Sequence, residues 1–147
     1  MRPADLTPWG DDWPQRYGAR LLYGGVDRED VLDAVALSVE RLFQPAGSEP
    51  EGIVLDAVRA NAFTAEDLAG WEENPLETCE RIFPGSAETI ARYGLRIERK
   101  PGVVSSFSGW EETGYAPRRH FGTFLEELRH LEASEGESAV RALRCPY

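Results

Sequence analysis

Lysine is nearly missing from this chain: Lys100 stands alone against fifteen arginines, a bias from which no mechanism follows. Cysteine and histidine are scarce, with two of each. Cys79 and Cys145 lie far apart with no metal-ligand spacing around either, so both are expected as reduced thiols. HExxH, CxxC and EF-hand patterns are absent, and the paired acids, such as Asp11-Asp12 and Glu126-Glu127, are neighbours in sequence and not cages. No metal is expected. There is no GxGxxG turn, no Walker loop and no GxSxG elbow, so no cofactor is implied. No apolar run approaches the roughly 20 residues that span a bilayer, and the first residues carry no apolar run of signal-peptide length. A cytoplasmic protein that does not enter membranes is the expectation.

What is present describes a folded protein. The 147 residues are 41% hydrophobic and 29% charged, enough for a real core, and point to a single domain over 1–147 with residues 1–18 as a Trp/Pro-rich arm packed on the body. The formal charge is −10, which repels a phosphate backbone and sets nucleic acid aside as a ligand. Residues 1–73 hold 15 acids against 6 bases, whereas 74–147 hold 11 against 10, so nearly all of the excess lies in the first half. A basic partner facing that half, or a solvated surface, would each account for it.

The pattern along the chain predicts an α+β fold, with four to five helices packed on a small, mainly antiparallel sheet. Residues 20–23 read as a short strand ended by Gly24-Gly25. A helix over 28–43 follows, capped by Asp27 with Asp30 three residues on, and with Leu32, Val35, Val39 and Leu42 in a wide apolar band. The run at 52–60 reads as a strand. Thr64 starts a helix ending near Glu73, Pro75 opens one over 76–82, and another over 87–93 stops at Gly94. Residues 95–99 alternate apolar and charged, Pro101-Gly102 turns, and 103–107 returns, giving a hairpin over 95–107. Thr123 with Glu126 caps a last long helix over 124–133, whose Leu125 and Leu128 join the core. The tail from 138 suits a short helix or a strand.

"GWEE" occurs twice, at 70–73 and at 109–112, but the flanking residues and apolar patterns disagree, so a coincidence of composition is the simpler account. The second copy opens the most chemically loaded stretch. Glu111, Glu112, Tyr115, Arg118, Arg119 and His120 place carboxylates, a phenol, guanidiniums and an imidazole on one expected loop. His120 can serve as a general base with Glu111 or Glu112 orienting it, and Arg118 and Arg119 can bind a carboxylate or phosphate. The same arginines suit pairing with acids of the N-terminal half, with His120 a packing residue at the start of a helix.

Acids and aromatics crowd the other end: Trp9, Asp11, Asp12, Trp13, Asp27, Asp30 and Asp33 combine ring anchors with charges that steer a basic protein. The leading reading is a non-enzymatic acidic binding protein for a basic protein partner, in its most concrete form a toxin-neutralising immunity protein or antitoxin, as monomer or homodimer. The alternative is a small enzyme or ligand binder acting on an anionic small molecule through Tyr115, Arg118, Arg119 and His120.

Overall fold

The computed structural model describes residues 2–3, 13–43, 52, 54–103 and 109–144, with the backbone alone at 2–3. A π-helical turn, Trp13–Tyr17, runs into α1 (Gly18–Tyr23), and α2 (Arg28–Leu42) follows. After a 3-10 turn at Asp67–Gly70 come α3 (Pro75–Ile82), α4 (Ser86–Tyr93), α5 (Trp110–Thr113), α6 (Phe121–Glu135) and α7 (Glu137–Ala142). Among the described residues the strands are β1 (Arg2–Pro3) and β2 (Asp56–Ala57), paired in parallel with Arg2 opposite Asp56, and Arg144 forms an isolated bridge. Among the described residues about 60% are helical and 3% are in strands. The α+β expectation is therefore corrected to a mostly helical fold.

The reasons lie in particular segments. Residues 20–23 belong to α1 and are not a strand; a run of four residues is too short for its period to separate the two. Gly24, at φ 125°, then lets its own N–H and that of Gly25 turn back to the Arg20 carbonyl, at 3.1 and 2.8 Å. The expected hairpin fails for another cause. Residues 95–98 do alternate buried and exposed, but side chains take their carbonyls: Tyr23 donates its hydroxyl to Arg96 O at 3.1 Å and Trp71 its indole N–H to Ile97 O at 3.1 Å. Arg59 donates to Gly102 O at 2.9 Å, at the place of the expected turn. With donors supplied this way, those carbonyls need no partner strand. Of the expected return arm at 103–107, Val103 is in no strand and 104–107 lie outside the described residues.

Helix ends follow local chemistry closely. Asp27 caps α2 by accepting from Glu29 N–H at 2.7 Å, and Asn74 caps α3 by accepting from Glu77 N–H at 3.2 Å with Pro75 in the first turn. Thr64 and Asp67 cap each other, yet the helix they open is only the 3-10 turn. The start of α6 differs from expectation: His120 is the cap and Thr123 its reciprocal partner, in place of a Thr123–Glu126 box.

The main core gathers α1, α4 and α6 around Leu21, Leu22, Trp71, Tyr93, Phe124, Leu125 and Leu128. Gly18 makes this approach possible, since a Cβ there would stand 2.6 Å from Phe124 Cε1. A smaller cluster of Ala34, Leu55, Ala57 and Tyr115, with Leu37 and Trp110 against it, joins α2 to β2 and α5. Here the core expectation divides. Leu125 and Leu128 are buried as expected, whereas Leu32, Val35, Val39 and Leu42 are 53, 37, 45 and 81% exposed. The cause is an α2 that is apolar on two sides, of which the chain covers the side bearing Asp30 and Ala34.

Candidate functional site

The 115–120 segment runs across the first turns of α2, and a single buried carboxylate holds it there. Asp30, 1% exposed, accepts from the backbone N–H groups of Arg118 and Arg119, both at 3.0 Å. Burial pushes its pKa above the ordinary carboxylate value, and those two N–H donors pull it back down. Asp27 is also buried: it caps α2 and accepts the Tyr17 hydroxyl. Burial first, then this neighbouring carboxylate, raises the Tyr17 pKa well above that of a free phenol. Asp33, further along, pairs with Arg118 at 2.6 Å on the surface.

The acids and the basic loop expected to form two separate sites thus meet each other. Asp27 and Asp30 are turned inward and are not offered to a partner, and Asp33 is already paired. Trp13 is partly buried, stacked on Tyr17 at 5.7 Å and edge-on to Phe124 at 5.4 Å, so its ring is a core contact. Trp9, Asp11 and Asp12 lie outside the described residues.

The side chains of the alternative site point to different partners. Tyr115 is buried and donates its hydroxyl to Val58 O at 3.3 Å. Arg119 pairs with Glu127 on α6. Nδ1 of His120 accepts from Gly122 N–H at 3.1 Å and from Thr123 N–H at 3.4 Å, and its ring lies over Phe83. Burial, followed by the Arg119 and Arg59 charges, lowers its pKa against the opposing pull of Glu126 and Asp30. A neutral imidazole with its lone pair committed to a helix end is a cap. Glu111 and Glu112 are exposed on α5, away from that cap's hydrogen bonds.

The two GWEE stretches differ in backbone: one spans the end of the 3-10 turn and the turn after it, the other a left-handed Gly109 and α5. Each lodges an indole against a backbone carbonyl, Trp71 on Ile97 and Trp110 on Asp56.

Two features escaped the sequence. Arg59, 3% exposed, donates to Leu22 O at 3.1 Å as well as to Gly102 O, and burial lowers its pKa. No local pattern marks an arginine as buried, because its partners are carbonyls far away in sequence. The second feature is an open groove of about 820 Å³ along the 3-10 turn, α3 and the start of α4. Glu66, Asp67, Glu73, Glu77 and Glu80 line it against one guanidinium, Arg81. Its signal was available, since acids recur through 66–80. Three of these are in use locally: Asp67 holds Thr64 and Arg81, Glu77 holds Asn74, and Glu80 accepts from Gly85 and Ala87 N–H at 2.7 and 2.8 Å. Glu66 and Glu73 make no ion pair among the described residues.

Among the described residues, no group of three or more His, Cys, Asp or Glu is placed to hold a metal ion, and no helix is long and apolar enough to cross a membrane. Comparison with protein-family models, curated proteins and solved structures finds no match to the chain.

Proposed function

We propose that the chain is a non-enzymatic acidic binding protein that recognises a basic protein partner in the cytoplasm, most concretely as an immunity protein or antitoxin covering the cleft of a basic toxin. The observation that carries this reading is the open groove in which five carboxylates face one guanidinium, in a chain of formal charge −10. Charge of one sign in a concave surface focuses the field and raises encounter rates with a cation. The seam at 115–120 adds to this. It pairs Asp30, Asp33, Arg118 and Arg119 within the chain, so the acids left for an outside partner lie elsewhere, Glu66 and Glu73 among them.

The test is capture from host lysate on the immobilised chain at low salt, followed by a salt step and identification of what elutes. With the captured protein purified, its association rate is measured against ionic strength. A basic protein whose association slows steeply with salt, and slows about tenfold further with Glu66→Lys and Glu73→Lys together, supports the reading. Association unchanged by salt and by the double reversal would sink it.

A further inference from the structure

Resting on the binding-protein reading, we infer that the outward face of α2 gives the partner a second seat apart from the acidic groove, and that the element it seats is an amphipathic helix with basic residues flanking an apolar stripe. On α2, Asp30, Ala34 and Leu37 turn inward to the cluster around Leu55, Ala57 and Tyr115. Opposite them, Leu32, Val35, Val39 and Leu42 follow at intervals of three, four and three residues, and Phe43 ends the row. All five are exposed. That spacing forms a straight seam along a helix, running about 15 Å from Leu32 to Leu42 at the helical rise. A groove-binding or seam-binding helix of three turns has the same length and period.

Charge decides between a second copy and a different partner. At 100° per residue, Glu29, Asp33 and Glu40 fall along one edge of the stripe, while the other edge carries the uncharged Val31 and Ser38. Arg118 already holds Asp33, but Glu29 and Glu40 make no ion pair among the described residues, and both cations of the helix, Arg28 and Arg41, are engaged within the chain. Two antiparallel copies would lay acidic edge against acidic edge. Two parallel copies would lay it against Val31 and Ser38, where it meets no countercharge. A helix edged with lysine or arginine satisfies Glu29 and Glu40 and covers the stripe in the same contact.

The probe is a fluorescein-labelled peptide of about 20 residues with a leucine stripe at this spacing and lysine on both flanks, long enough for a stable helix. Its counterpart carries glutamate in place of lysine. Fluorescence anisotropy with the full chain is expected to show saturable binding of the lysine peptide alone. Val39→Asp is expected to weaken it about tenfold or more, and Glu29→Gln with Glu40→Gln about threefold with a flatter salt dependence. Far-ultraviolet circular dichroism checks each variant, and Leu42→Gln replaces Val39→Asp if that chain does not fold. Equal binding of both peptides, no binding, or undiminished binding by the stripe variant overturns the inference. So does a dimer in sedimentation that Val39→Asp dissociates, which would give the face to a second copy. If a basic protein from the lysate binds the Val39→Asp chain as tightly as the original, this face is wrong and the binding-protein reading stands. If the lysate yields no basic partner, the wider reading fails, whatever the peptide does.

Discussion

His120 holds α6 through a lone pair, so its role ends when it is protonated. An imidazolium cannot accept from Gly122 and Thr123, and burial together with Arg119 and Arg59 already keeps its pKa below the ordinary value. As pH falls, the unfolded chain therefore takes up this proton first. The stability tied to the neutral cap is fully present above the unfolded pKa of about 6.5 and is lost below it, until folded His120 itself protonates. One proton sets an upper limit of about 1.4 kcal/mol per pH unit. Asparagine also caps well but does not titrate, so denaturant unfolding between about pH 7.5 and pH 5.5 should show the original chain losing more stability than His120→Asn. Parallel losses in the two chains would mean that the imidazole does not titrate against the cap. A histidine cap could not be read from sequence, because Thr123 and Glu126 offered a more familiar box one turn later.

Elements were legible where local chemistry sets them. Asp27, Pro75 and Gly94 punctuate α2, α3 and α4 as the sequence implies, since caps involve only near neighbours. The 95–107 hairpin was not legible, because alternation records which face is buried and says nothing about who takes the carbonyls. Tyr23, Trp71 and Arg59 take them from distances of many residues. Gly18 is a case of the same kind: read alone it is a helix breaker, yet it is the contact through which α1 meets α6. Gly18→Ala adds a methyl 2.6 Å from Phe124 Cε1, and the aromatic ring has Trp13 and Tyr17 packed against it. Helix propensity favours alanine by about 1 kcal/mol, while overpacking of a filled core costs about 1–3 kcal/mol. The balance predicts a net loss, read as a lower denaturant midpoint. A midpoint that rises would show that Phe124 can move aside and that the close approach is not needed.

At the scale of the whole molecule, the acidic half is partly neutralised from within by the second half. The seam of Asp30 and Asp33 with the 118–119 segment could not be found by counting charge along the chain, since it joins groups more than eighty residues apart. The candidate site divides in the same way: the residue types were visible, but their pairing with each other was a property of the fold. What remains is a surface with an excess of negative charge, and its attractions are weak. Arg81–Asp67, Arg118–Asp33 and Arg141–Glu137 are exposed pairs, each worth about 0–1 kcal/mol. Salt screens those pairs and the repulsion among the remaining carboxylates over the same Debye length, about 10 Å at 0.1 M. With a net charge of −10 the repulsion is the larger sum, so the folded chain should gain stability as salt rises. Thermal unfolding in about 10 mM and about 200 mM sodium chloride reads the sign, with a higher Tm expected at the higher concentration. A flat or falling Tm would mean that the ion pairs outweigh the repulsion. The acidic surface would then be balanced in the free chain, and a basic partner would relieve no strain on binding.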